Sequence, residues 1–340
     1  NAMRNHFYRF PGVDNDKDKT LSAMLRMAVI AQTQERYEKA PTETDEQRAE
    51  KAALEGLVKQ LFVELKRDFK PSDLPPYTLV KLGVHLANTS QPEESIAYFD
   101  EILDPSEPDP VRTKARINGM SKYRKNAVFG KAVALGRSKD NAKVETAIKM
   151  MKDELSKEES SANPDRKAME DAQYNLVKFT SARQDWPSVI AAADKYRENK
   201  SYKKNLPEVL YLQGEAYLKQ NELDKALINF MNITSTYKGL VKWSAPAVLA
   251  QMDTLWKRNT MSQGAGKQPS DRYIAWKAGS QYVQLLDTPA NRKKMTAEDS
   301  ALVNEVKDKT AKFGSDPAVS QERADIAAYE AAIRAAKGQK

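Results

Sequence analysis

The histidines are the first residues to consider, because an imidazole can bind metal or act as a general acid or base near neutral pH. His6 and His85 are the only two in the chain, and there is no cysteine. Neither histidine lies in a His-Glu-x-x-His or related ligand spacing. The lack of cysteine also excludes disulfides, thiolate metal sites and cysteine nucleophiles. We therefore predict no metal, no cofactor and no catalytic residue, and we expect His85 to pack on a helix.

Two short segments partly match known binding loops. Residues 264–268 (GAGKQ) lack the first glycine and the Ser or Thr of a phosphate-binding loop. Residues 14–18 (DNDKD) are not followed by the glycine and the final acid of a calcium-binding loop. We expect residues 261–270 to be a loop between helices, and residues 14–18 to be a linker whose acids cap a helix.

Basic stretches offer a different chemistry, although the net charge of +8 is modest for 340 residues. Lysines and arginines with tyrosines among them can hold phosphates and stack bases. The two stretches contain Arg112, Lys114, Arg116, Lys122, Tyr123, Arg124 and Lys125, and then Lys195, Tyr196, Arg197, Lys200, Tyr202, Lys203 and Lys204. We favour a solvated role, in which long basic side chains cover apolar helix flanks. Binding of nucleic acid or another anionic polymer is the alternative function.

The elements that carry these residues are predicted to be helices. Gly (13) and Pro (16) are scarce, and we find no alternating β-branched run, so the expected fold is all-α with no significant β. Leu54, Leu57, Leu61 and Leu65 form an apolar stripe at helical spacing. There is no apolar run of about 20 residues, so we predict no transmembrane segment. The longer predicted helices are residues 20–39, 45–69, 112–135, 141–155, 245–257, 271–286, 296–313 and 317–337.

One segment, residues 206–238, has the clearest repeat pattern. Gly214 and Tyr217 lie on a first helix, residues 220–222 form a turn, and Ala226 and Phe230 lie on a second helix. The small residues let two helix backbones approach, and the large residues fill the grooves beside them. This pattern closely resembles the tetratricopeptide repeat family.

Two weaker copies precede it. In residues 174–189, Val177 and Val189 occupy the small positions, and Val177 lies 37 residues before Gly214 (214 − 177). In residues 77–103, Gly83 precedes Phe99 by 16 residues, the same interval that separates Gly214 from Phe230 (99 − 83 = 230 − 214). The resemblance reaches motif quality over about 100 residues, and the other predicted pairs have irregular lengths.

The resemblance implies a right-handed superhelical solenoid of antiparallel helix pairs with irregular repeat lengths. It also implies a non-catalytic scaffold, whose concave face holds a peptide or helix of a protein partner. In that family the ligand contacts come from first-helix positions that flank the small residue. Here those positions are Tyr211, Glu215, Leu218 and Lys219 in the best repeat, and Tyr174, Lys178 and Ser181 in the upstream one.

Aromatic residues followed by a Pro or Gly stop recur where second helices end. Phe62 precedes Phe69 by seven residues, Phe230 precedes Tyr237 by seven, and residues 7–12 (FYRFPG) have a similar junction. These junctions resemble the repeats of bacterial envelope proteins of the outer-membrane-assembly lipoprotein and Tol-Pal coordinator families. The resemblance implies a periplasmic or envelope location, with the cytoplasm as the alternative. It also implies that the natural chain extends further towards the N-terminus.

The predicted organisation has four parts. Residues 1–17 comprise the tail of a preceding repeat, and Asn1 and Ala2 resemble the remnant of a cleaved expression tag. Residues 18–158 form N-terminal helix pairs, and residues 164–240 hold the best-matching repeats. Residues 241–340 form further pairs and an alanine-rich capping helix.

Overall fold

The computed structural model describes residues 16–338 except 43, 90, 105–118 and 265, and every regular element in these ranges is helical. The all-α prediction is therefore confirmed for the described residues. The helices with described bounds are α1 (Asp16–Lys39), α2 (Asp45–Asp68), α3 (Pro76–Asn88), α4 (Pro92–Leu103), α5 (Arg124–Gly136), α6 (Asn141–Glu159), α7 (Arg166–Ala182), α8 (Trp186–Glu198), α9 (Leu206–Lys219), α10 (Leu223–Thr236), α11 (Val241–Arg258), α12 (Asp271–Leu286), α13 (Pro289–Arg292), α14 (Ala297–Gly314) and α15 (Pro317–Gly338).

Several helix starts follow directly from local sequence. The Thr44 hydroxyl accepts a hydrogen bond from the Gln47 amide at 3.2 Å, and the Thr44 amide donates to the Gln47 side chain at 3.1 Å. This reciprocal cap satisfies two backbone donors at the start of α2. Pro76 and Pro92 begin α3 and α4, where a missing N–H costs no helical hydrogen bond.

The turns before α8 and α10 share one geometry. Gln184 and Asn221 both have left-handed backbones, with φ of 57° and 63°. The next amide in each turn reaches back five residues, from Asp185 to the Thr180 carbonyl at 3.1 Å and from Glu222 to the Tyr217 carbonyl at 2.9 Å. This bond closes the C-terminus of a helix. The two turns lie 37 residues apart (221 − 184), the interval that the sequence predicts between the upstream and best repeats.

One predicted helix is wrong. The predicted helix at residues 112–135 is interrupted, because Lys122 and Tyr123 form a turn and α5 begins only at Arg124. There the Tyr123 amide donates to the Met120 carbonyl at 2.8 Å, three residues back rather than four. Residues 1–15, with His6 and the junction at 7–12, lie outside the described residues, as do 112–118.

The chain divides into two compact units, residues 1–175 and 176–340, with the boundary inside α7. In the first unit, consecutive helices from α1 to α6 pack against one another, and α3 also packs on α5. Phe99 is fully buried in this core. A Cβ atom added to Gly83 would lie 2.7 Å from the Phe99 ring, and one added to Gly130 would lie 2.2 Å from it. The ring therefore sits between two helices that only glycine allows this close.

The second unit repeats this contact. Phe230 is fully buried, and a Cβ atom added to Gly214 would lie 2.6 Å from its ring. Consecutive helices from α8 to α12 pack against one another, and α14 packs on both α11 and α12. The equal 16-residue intervals in the sequence thus correspond to the same glycine–phenylalanine contact in each unit.

Candidate functional site

A groove of about 460 Å³ lies in the first unit and is formed by α3, α5 and the first part of α7. Its apolar surface consists of Val80, Val84 and Ala87 from α3 and Phe129 and Val133 from α5. Val84 leaves 39% of its surface in solvent. An exposed branched side chain in a concave site is a natural contact for an apolar ligand group.

Side-chain amides border this apolar surface. Asn88 and Asn126 are exposed, and neither amide hydrogen-bonds to another described residue. Asn175 lies on α7 and donates through Nδ2 to the Asp171 carbonyl at 2.8 Å. Each amide offers both donors and an acceptor, which suits a polypeptide backbone.

The charged end of the groove is already satisfied within the chain. Lys125 Nζ lies 2.5 Å from Glu158 Oε1 and 3.3 Å from Asp165 Oδ2. Hydrogen bonding to Glu158 raises the pKa of Lys125, and the same bond lowers the pKa of Glu158. The pKa of Asp165 is lowered chiefly by the amide of Ala168. These ion pairs link α5, α6 and the start of α7. Lys125 therefore holds these helices together, and its charge is already paired within the chain.

The groove residues on α3 have the same spacing from a glycine as the positions predicted from sequence on α9. The groove uses the residues at −3, +1, +4 and +5 from Gly83, and the predicted positions have the same offsets from Gly214. The two sets are Val80, Val84, Ala87 and Asn88, and Tyr211, Glu215, Leu218 and Lys219. The sequence-based prediction used these offsets in the best and the upstream repeats but not in the repeat at Gly83. It also missed the α5 residues, because α5 follows no repeat pattern.

The predicted positions on α9 are partly used by the core. The Tyr211 ring packs 5.8 Å from Phe230 and 6.3 Å from Trp243, and its hydroxyl hydrogen-bonds to Glu215. Burial, and then the nearby Glu215 charge, raises the pKa of Tyr211 to about 12. Burial likewise raises the pKa of Glu215. Leu218 packs partly buried on the same cluster, and Lys219 is exposed.

On α7 the groove uses a different face from the predicted one. Ala168, Asp171 and Asn175 line it, whereas the predicted Tyr174, Lys178 and Ser181 do not. All three predicted residues are half-buried, and Lys178 Nζ lies 3.4 Å from Glu208 Oε1. Within the second unit, Lys178 thus contributes to an ion pair between α7 and α9.

The second basic stretch lacks accessible aromatic rings. Tyr196 is fully buried and Tyr202 is 6% exposed, and their rings pack 5.2 Å apart. The Tyr196 hydroxyl accepts from the Asn205 amide at 3.3 Å, and Arg197 donates to Gln213 at 2.7 Å. The suggestion that these tyrosines could stack bases is therefore wrong, because the core covers them.

The other features considered for chemistry are His85, a possible metal site and the glycine-rich loop. His85 stacks on Phe62 with ring centroids 4.0 Å apart, and burial, then the charge of Lys59, lowers its pKa. Among the described residues, no three His, Asp or Glu side chains converge on a point where a metal could bind. Of the loop predicted at residues 261–270, the described residues 261–264 and 266–270 are non-helical, and Gly264 and Gly266 have positive φ.

Comparison with known families and with curated proteins finds no match to this chain. Of the helices described, none is both long enough and apolar enough to cross a bilayer.

Proposed function

We propose that this protein is a non-catalytic interaction scaffold of the tetratricopeptide type, and that the groove between α3, α5 and α7 binds a segment of a partner protein. The observation that supports it most is the shared set of offsets from Gly83 and Gly214. Residues at these offsets from Gly83 line a groove in the first unit, although the residues predicted at the same offsets from Gly214 do not. The right-handed superhelix of antiparallel pairs belongs to this proposal.

The groove favours an extended segment over a helix. An extended chain presents an unpaired N–H and C=O at each residue, whereas a helix satisfies these groups internally. Asn88 and Asn126 provide exposed amides that can pair with such groups, next to the apolar Val84 and Phe129. The preferred ligand is therefore an extended peptide with aliphatic side chains.

A selection from a random peptide library tests this function. We expect the chain to select aliphatic peptides, and Val84→Asp to weaken them at least about tenfold, because the substitution places a charge against an apolar contact. Ile228→Asp is the matched control, since Ile228 is 65% exposed in the second unit and lies outside the groove. Failure to select any peptide, or equal binding by both variants, would contradict the proposal.

The envelope location is also proposed, on the strength of the aromatic junctions. Phe69 and Tyr237 each follow a buried phenylalanine by seven residues and form the C-terminal cap of a second helix. Fractionation of cells that express the natural gene tests the location. Recovery of the protein in the cytoplasm alone would contradict it.

A further inference from the structure

A second cavity, of about 690 Å³, lies between α2 and the C-terminal part of α3. Its cationic side chains are Lys59, Lys66 and Arg67, all from α2. No Asp or Glu is among the described residues that line it. A concave surface with charges of one sign concentrates ligands of the opposite sign.

The counter-ions of these cations lie outside the cavity lining. Lys59 Nζ is 2.6 Å from Glu55, Arg67 Nε is 2.7 Å from Asp68, and Lys66 contacts Glu94. Exposed ion pairs of this kind contribute little stability. An ammonium group also has three donors, so each lysine can keep its partner and still donate to a ligand.

The rest of the lining combines apolar residues with the polar Asn88, Thr89 and Gln91. The Phe62 ring stacks on His85, and Val63 beside it is 63% exposed. Leu86 completes this apolar wall. A ligand that fits here therefore has an apolar body as well as a charge.

Helix-end electrostatics explain only part of this arrangement. Lys66 and Arg67 lie in the last turn of α2, where a cation stabilises the carbonyl end. Lys59 lies two turns earlier, and an exposed Val63 serves no helix end. Three cations and an exposed valine line one cavity, a combination that suits a ligand with both a negative charge and an apolar group.

We propose that this cavity binds a carboxylate carried on a small apolar body. The carboxylate is held by the charges of Lys66 and Arg67, while Arg67 keeps Nε and Nη2 on Asp68, and the body packs on Val63 beside His85. The site adjoins the proposed peptide groove, since Asn88 lines both cavities, but its cations line only this one. The carboxylate can belong to a free small acid or to an acidic side chain next to an apolar residue.

Proton NMR of His85 tests the site directly, because His6 is the only other histidine and a His6→Gln variant leaves a single imidazole. The probes are phenylacetate, its neutral isostere phenylacetamide, and a terminally blocked Phe-Asp dipeptide. We expect phenylacetate or the dipeptide to shift the His85 signals saturably, and phenylacetamide to bind at least about tenfold more weakly. If phenylacetate binds more tightly than the dipeptide, the carboxylate belongs to a free acid. If the dipeptide binds more tightly, the carboxylate belongs to an acidic side chain.

Two variants distinguish specific binding in the cavity from non-specific attraction of anions to the basic surface. Lys66→Met with Arg67→Gln should weaken the carboxylate probes at least about fivefold, with the fold checked by circular dichroism. Lys149→Met is the matched control, since Lys149 is an exposed lysine on α6 and does not line the cavity. The proposal is overturned if the shifts do not saturate, if phenylacetamide binds equally well, or if both variants behave alike.

Discussion

No side chain fits at Gly83 or Gly214, because a phenylalanine ring occupies the space that its Cβ atom would need. A Cβ atom would lie 2.7 Å and 2.6 Å from the rings of Phe99 and Phe230. We predict that Gly83→Ala destabilises the first unit by about 1–3 kcal/mol, the usual cost of overpacking a core. Chemical denaturation of the variant measures this.

Gly56 provides a control of opposite sign. It is exposed in the middle of α2, and a Cβ atom there would meet nothing within 4 Å. Gly56→Ala should therefore stabilise the chain by up to about 1 kcal/mol, through helix propensity alone. Equal effects of the two substitutions would contradict the close contact between Gly83 and Phe99.

His85 should make stability depend on pH below neutrality. Its folded pKa is lowered from 6.5 by burial and by Lys59, so the unfolded chain binds the proton first as the pH falls. The stabilisation is fully present above about pH 6.5 and is lost as the pH falls through the folded pKa. His85→Phe keeps a ring on Phe62 but cannot titrate. We predict that its melting temperature changes less than the wild type's between about pH 7.5 and 5.5. Equal changes would contradict the lowered pKa.

At the scale of elements, one buried ion pair fixes the loop between α11 and α12. Arg258 donates to both Asp271 oxygens at 2.8 and 2.6 Å, and the Thr260 amide donates to Asp271 at 2.8 Å. The Asp271 side chain is 1% exposed. Its pKa is lowered although burial opposes this, because Arg258 and Thr260 stabilise the charged form.

Asp271→Asn should therefore destabilise the second unit by about 2 kcal/mol, since it removes the buried carboxylate partner of Arg258 and leaves only the exposed Asp224, 2.5 Å away. Asp253→Asn is the matched control, because Asp253 pairs with Lys309 at 2.5 Å but is 55% exposed. That substitution should cost less than about 1 kcal/mol. Thermal unfolding of the two variants compares them, and similar losses would show that burial of Asp271 adds nothing.

The helices could be predicted from the sequence, because capping residues and apolar spacing are local properties of the chain. Residues 271–286 were predicted as they stand, and residues 317–337 differ from α15 by one residue. The break at Tyr123 was not predictable, since no Pro or Gly marks it and the turn depends on a single backbone bond to Met120. None of the groove residues was among the predicted positions. The α3 residues of the groove follow the repeat offsets, whereas Phe129 and Val133 enter it through helix packing that has no sequence signature.

At the scale of the whole molecule, the net charge of +8 is modest for 340 residues. Lys125 pairs with two carboxylates, and Tyr196 and Tyr202 are buried beside the second basic stretch. We predict no binding of a single-stranded oligonucleotide at about 150 mM salt by fluorescence anisotropy. Tight binding that weakens steeply as the salt concentration rises would instead support the nucleic-acid function.

The central claim is that the groove between α3, α5 and α7 holds a partner segment, and the lack of cysteine makes a direct measurement simple. A benzophenone attached to Val84→Cys is a unique photo-crosslinker in the groove, and one attached to Lys149→Cys on α6 is its control. We predict that the Val84→Cys chain, expressed in its native host, crosslinks to a discrete partner through an extended aliphatic segment that mass spectrometry can map. Equal crosslinking from both positions, or none from Val84→Cys, would contradict the claim.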